Sequence, residues 1–169
     1  MGLQSTGTIN VEVDRATAFE FVADPVQLAQ CIPGCSELIE LSPGRYSAQL
    51  TSKVAYITLK FKVTSEITRM EPPNLIEVKM TGDSIGLAGR VSATAGIELM
   101  VAGEGFTDIR YSAEVALSGK LGGLGQPVFR SKSAEVAREF GQNLKAALEK
   151  GLGEKGLVNR SSLSGGPVA

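Results

Sequence analysis

The chain of 169 residues contains no histidine and no tryptophan, and it has only two cysteines. Without imidazole there is no base for a Ser–His or Cys–His nucleophilic pair, and metal binding through histidine is excluded. Cys31 and Cys35, in C-I-P-G-C, supply at most half of a four-ligand metal site. C-x3-C also lacks the C-x-x-C context that depresses a thiol pKa, so the pair reads as two small residues flanking a tight turn. Aromatic residues make up 5% of the chain, and bulky filling for a core is scarce. No stretch approaches the ~18 consecutive apolar residues of a membrane-spanning helix. A formal net charge of -1 gives no electrostatic case for nucleic acid or an anionic membrane surface. The first residues, MGLQSTGTINVEV, lack a basic region followed by an apolar run, so a cytosolic setting is expected. No cofactor and no metal site are expected.

What is present is one long amphipathic helix and many alternating strands. Over Gly125 to Lys150 the residues Phe129, Ser133, Val136, Ala137, Phe140, Leu144, Ala147 and Leu148 fall within about 120° of arc at ~100° per residue. Glu135, Arg138, Glu139, Gln142, Lys145 and Glu149 take the other side. Pro127 suits a first turn, and Gly151 offers a left-handed cap. Nothing else in the chain is a helix of comparable length, so its apolar stripe must lie on strands.

Near the start, Ile9, Val11 and Val13 alternate with polar residues as a half-buried strand from Thr8. Asp14 is an N-cap for RATAFEFVA, and Asp24-Pro25 breaks that short helix before a second one over Val26 to Cys31. From Glu37 onward the pattern is strands only. They cover Glu37–Leu41, Arg45–Lys53, Thr58–Glu71, Ile76–Thr81, Arg90–Val101 and Phe106–Ser118, divided by Pro- and Gly-rich turns. Short turns make successive strands antiparallel neighbours. The longest run roughly 10–14 residues and must coil. The order predicts an α+β helix-grip: a curved antiparallel seven-stranded sheet wrapped around a long C-terminal helix, with two short helices after strand 1. Residues 1–150 form this domain, and 151–169, rich in Gly and Ser, read as a flexible tail.

A coiled sheet leaves more volume beside a helix than a flat one, and small inward residues such as Ala93, Ala95, Ala113, Ser133, Ala137 and Ala147 do not fill it. The expectation is an apolar cavity lined by Phe61, Val63, Met80, Ile85, Leu87, Val91, Ala93, Tyr111, Val115, Phe129 and Ser133. The competing expectation is that the sheet flattens and these residues form an ordinary core. Tyr111, Ser92 or Arg130 would orient a ligand's polar head. Gly119-Lys120-Leu121-Gly122-Gly123-Leu124-Gly125 matches neither phosphate-loop pattern. It reads as a hinge carrying Leu121 and Leu124 over the open end of the grip. Acidic residues such as Glu66, Glu77, Glu98 and Glu114 fall on outward positions, and Asp83 and Asp108 have no partner discernible from sequence.

The stretch FEFVADPVQLAQCIPGCSEL from Phe19, the later GKLGGLG and the helix segment Ala137-Arg138-Glu139-Phe140 resemble the carbon monoxide dehydrogenase G subunit (CoxG) proteins. That family belongs to the START-like (SRPBCC) helix-grip superfamily, whose members hold hydrophobic ligands. The resemblance implies a non-enzymatic accessory protein that binds a quinone or lipid, menaquinone-like, beside a carbon monoxide dehydrogenase-type molybdenum hydroxylase. It implies a cytoplasmic protein with peripheral contact at the inner face of the cell membrane, aiding electron transfer to quinone. It also marks the Ile32, Pro33, Gly34 turn as the cavity mouth and transfers no catalytic residue. The alternatives are a polyketide cyclase-like enzyme, with Tyr111 as its inward acid–base group, and a structural assembly factor for the hydroxylase.

Overall fold

The computed structural model describes residues 2–54, 56–121, 123 and 125–158, with the backbone alone described at 126 and 151–158. Strand β1 (Gly2–Val11) leads into helices α1 (Arg15–Ala23) and α2 (Pro25–Ala29). Six strands follow: β2 (Cys35–Ser42), β3 (Arg45–Val54), β4 (Ile57–Glu71), β5 (Leu75–Ile85), β6 (Gly89–Gly103) and β7 (Phe106–Gly119). Helix α3 (Gln126–Val158) ends the described chain. The seven strands form one sheet in the order β1-β7-β6-β5-β4-β3-β2, and every neighbouring pair is antiparallel. The expected helix-grip topology is therefore observed.

Local chemistry accounts for the joints. The Asp14 carboxylate accepts from the Thr17 backbone N–H at 3.2 Å and from its hydroxyl at 2.6 Å, capping α1. Asp24 ends α1 and then accepts from the N–H groups of Val26 and Gln27, so one residue stops one helix and starts the next. Gly34 sits at φ 79°, and a Cβ there would collide with the Thr51 carbonyl, while the Thr51 N–H donates to the Gly34 carbonyl at 3.0 Å. The turn after α2 is thus fixed against β3 by a backbone approach that only glycine allows.

Two boundaries differ most from the sequence reading. β1 starts at Gly2, well before Thr8, because Gly2 to Gly7 pair with Ala116 to Tyr111 of β7. The inward residues of that extension, Leu3, Ser5 and Gly7, are mostly small and leave a faint alternation. α3 continues through Gly151 to Val158. A glycine inside a helix costs roughly 1 kcal/mol but does not forbid it, and no proline follows until Pro167.

The helix backbone lies closest to the edge strand β1 and also approaches β3 on the far side of the sheet. The intervening strands β7, β6, β5 and β4 therefore pass beneath it. Two separate apolar clusters fill the ends of this space. One joins Val11, Val13, Phe19, Val22, Ile97, Leu99, Ile109, Leu144 and Leu148. The other joins Leu3, Val54, Leu59, Phe61, Val63, Leu117, Leu121 and Phe129. The tie at the first end includes the Lys145 ammonium donating to the Asn10 carbonyl, and the Glu12 N–H donating to Glu149 at 3.2 Å. Buried Thr107 donates its hydroxyl to the Val13 carbonyl at 2.7 Å, fixing the exit of β1 to β7.

Candidate functional site

Cross-strand register sets which side chains face α3. Leu117, Val91, Gly82, Val63 and Ala48 form one row across β7, β6, β5, β4 and β3. Val115, Ala93, Met80, Ser65 and Tyr46 form the next, and Ala113, Ala95, Val78 and Ile67 the one after. Tyr111, Ile97 and Ile76 follow. The middle rows mix small side chains, Ser65, Ala93, Ala95 and Ala113, with the larger Met80, Tyr46, Val78, Ile67 and Val115. Ser5, Ala95, Ala113, Met80 and Val115 are only half-buried although they face the helix side, and so are Ser133 and Ala137 on α3. The best-packed residues belong to the clusters at either end.

Tyr111 is the polar group best placed in this region. Its ring meets Phe140 edge to face, with centroids 5.2 Å apart and planes at 79°. Gly7 of β1 and Gly141 of α3 lie against it from two sides, and a Cβ on either would overlap the phenol. Burial pushes the Tyr111 phenol pKa up, which keeps it a neutral hydroxyl able to donate a hydrogen bond. A second hydroxyl, Ser84, stands opposite Phe61 in the β4–β5 register. Its oxygen is buried and has no hydrogen-bond partner among the described residues.

The residues expected to line a cavity do not share one environment. Phe61, Val63, Ala93 and Phe129 are buried in the walls, while Met80, Leu87, Val91, Tyr111, Val115 and Ser133 are half-buried. Ile85 is a correction: it is 54% exposed, because β5 keeps its alternation through Gly82 and Asp83 and puts Ser84 inward and Ile85 outward beside Lys60. Leu121 is fully buried in the second cluster, where it fills the space left by Gly89. Leu124 lies outside the described residues. Ile32 and Pro33 are half-buried, and the Gly34 turn is explained by its approach to Thr51. Ser92 and Arg130 are exposed, and Ser92 is on the outer face of β6, so neither can orient a molecule held under the helix.

Both thiols are free, and burial raises both pKa values, Cys31 being wholly buried. Among the described residues no group of three or more His, Cys, Asp or Glu side chains could hold a metal ion. Asp83 is paired with Arg90 at 3.1 Å and Asp108 accepts from Asn10 at 2.9 Å, partnerships that only the register supplies. None of the described helices is long and apolar enough to cross a membrane.

A curled antiparallel sheet gripping one long helix, with two short helices after its first strand, is the START-like fold, and solved structures agree. A conserved protein from Geobacillus kaustophilus superposes with a TM-score of 0.77 at 22% identity, covering 87% of this chain and 95% of that one. A START superfamily protein from Mycobacterium smegmatis gives 0.65 at 14% identity, covering 87% and 97%. The Zhui aromatase/cyclase from Streptomyces sp. R1128 gives 0.60 at 15% identity, covering 92% and 96%. No curated protein matches the chain. Within that class the family is specific: residues 7–149 match the family model of the carbon monoxide dehydrogenase G subunit (CoxG), and the chain belongs to that family.

Proposed function

We propose that this protein is a non-enzymatic carrier of a hydrophobic molecule, a quinone or lipid. In this reading it serves as an accessory protein to a carbon monoxide dehydrogenase-type molybdenum hydroxylase, accepts the ligand between sheet and α3, and brings the hydroxylase's electrons to quinone at the membrane face. The observation that carries the reading is the row of small, half-buried, inward side chains, Ser5, Ala95, Ala113, Ser133 and Ala137, between two separate apolar clusters. Burying an isoprenoid tail against such a surface contributes about 25 cal/mol per Å². The Tyr111 hydroxyl would donate to a carbonyl on the head. Family membership supports the accessory role.

Titration with a prenylated naphthoquinone, followed by calorimetry, tests it. Binding at micromolar affinity or better, lost when Ala95→Trp fills the middle row, is the expected result. No binding to the folded wild type would remove the carrier reading.

A cyclase-like enzyme is the second reading, favoured by the inward, half-buried hydroxyl of Tyr111. Tyr111→Phe separates the two: a carrier keeps binding with a modest loss, whereas an enzyme would lose turnover of a polyketide substrate.

A further inference from the structure

The end of the molecule that holds the β3–β4 and β5–β6 turns and the start of α3 combines exposed apolar side chains with exposed cations. Tyr56 in the β3–β4 turn is fully exposed, and Ile57 at the start of β4 and Ile85 at the end of β5 are exposed as well. The register brings these turns together, since Lys60 pairs with Ile85 and the Lys120 N–H donates to the Ala88 carbonyl at 2.9 Å. Exposed cations surround them: Lys53, Lys60 and Lys62 from β3 and β4, Lys120 after β7 and Arg130 in the first turn of α3.

None of these five has an ion-pair partner among the described residues. The acids nearby are already neutralised, Asp83 by Arg90 at 3.1 Å and Glu135 by Lys132 at 2.8 Å. The N-terminus of α3 adds its positive dipole end. The opposite end is mixed: Glu104 and Asp108 lie at or beside the β6–β7 turn, while Glu71 is paired with Arg69 at 2.6 Å and Arg15 donates to Asn74 of the β4–β5 turn at 2.8 Å. The net charge of -1 therefore conceals a local cluster of cations unpaired among the described residues.

We propose that this basic, apolar-tipped end docks on an anionic lipid bilayer. Tyr56, Ile57 and Ile85 enter the headgroup layer, and the cations face lipid phosphates. Nucleic acid fits less well, because of the three tip side chains only Tyr56 could stack on a base, whereas all three can enter a headgroup layer. The proposal names the surface for the membrane-facing part of the function proposed above, and its test does not require a ligand to bind.

Full-length protein is sedimented with phosphatidylcholine vesicles, with and without about 30% phosphatidylglycerol, at low and physiological salt. Wild type should partition onto the anionic vesicles and release as salt rises. Each cation near such a surface is worth about fivefold, so Lys60→Gln with Lys120→Gln should weaken partitioning about 25-fold. Ile57→Ser with Ile85→Ser should weaken it as well, whereas Lys79→Gln, about 20 Å from Ile85 along β5, should leave it nearly unchanged, because the attraction falls off within a Debye length. All these side chains are exposed, and unchanged thermal melts would show the variants folded. Equal binding to neutral vesicles, no vesicle binding, or wild-type partitioning by the variants would overturn the proposal. So would duplex DNA binding through the same lysines without vesicle binding. Loss of docking with quinone binding intact would leave the carrier reading standing, and the converse holds too.

Discussion

Tyr111 of β7 lies directly against Gly141 of α3: a Cβ at Gly141 would overlap the phenol oxygen and stand 2.9 Å from Cζ. Across the ring, a Cβ on Gly7 would collide with Cζ and the hydroxyl, and would sit 2.6 Å from Cε2. Two glycines, one on a strand and one inside a helix, thus set how closely β1 and α3 approach the same side chain. Alanine normally favours a helix by about 1 kcal/mol over glycine. Here Gly141→Ala should instead destabilise by about 1–3 kcal/mol through overpacking. Adding Tyr111→Phe should recover part of that loss, because the oxygen is the nearest clash. The same addition should not rescue Gly7→Ala, whose clash includes ring carbons. Urea denaturation of the four variants checks this, and a more stable Gly141→Ala protein would contradict it.

Ser84 carries a buried oxygen with no partner among the described residues. Leaving such a group unpaired costs about 1–3 kcal/mol. Ser84→Ala should therefore raise the stability of the ligand-free protein by around 1 kcal/mol in the same denaturation assay. A loss of stability would mean that the hydroxyl is satisfied.

Thr107 presents the reverse case. Its hydroxyl donates to the Val13 carbonyl at 2.7 Å, in a position with no exposure. Thr107→Val keeps the shape and strands that carbonyl, so a loss of about 1–3 kcal/mol is expected. Thr107→Ser keeps the donor and should retain more stability than alanine at the same position.

The acid limb of stability should depend on Asp14. Hydrogen bonds from the Thr17 hydroxyl and backbone N–H hold its carboxyl below the ordinary 3.8. A lowered folded pKa means the contribution is complete above the ordinary, unfolded value and disappears as pH falls through the folded pKa. Asp14→Asn retains a capping oxygen but does not titrate. Melting temperature against pH should accordingly fall less steeply below about pH 4 in the variant. An unchanged acid slope would show that the cap contributes nothing to it.

Strand alternation makes most of the sheet legible, including the inward placement of Tyr111, Ala93, Ala95 and Ala113, because side-chain direction repeats every two residues. The two short helices are equally legible from Asp14 and Asp24-Pro25. What lies beyond the sequence depends on register and curvature. The partners of Asp83 and Asp108 come from strands that only pairing brings together. Ile85 reads as inward when its strand is ended at Thr81, a boundary that hides both its true parity and the inward hydroxyl of Ser84. The role of Gly7 and Gly141 has no local signal, since a glycine without a turn says nothing of the ring it accommodates. Leu121 reads as part of a lid, yet Gly89, far away in sequence, leaves the space it fills.

The central claim is that the half-buried middle of the sheet–helix interface holds a hydrophobic molecule, and native mass spectrometry of the protein, purified without detergent, tests it most directly. The account predicts a population carrying additional mass that organic extraction recovers as a quinone or lipid, diminished in Ala95→Trp. A wild-type protein of bare chain mass that also takes up no prenylated naphthoquinone added in excess would contradict it.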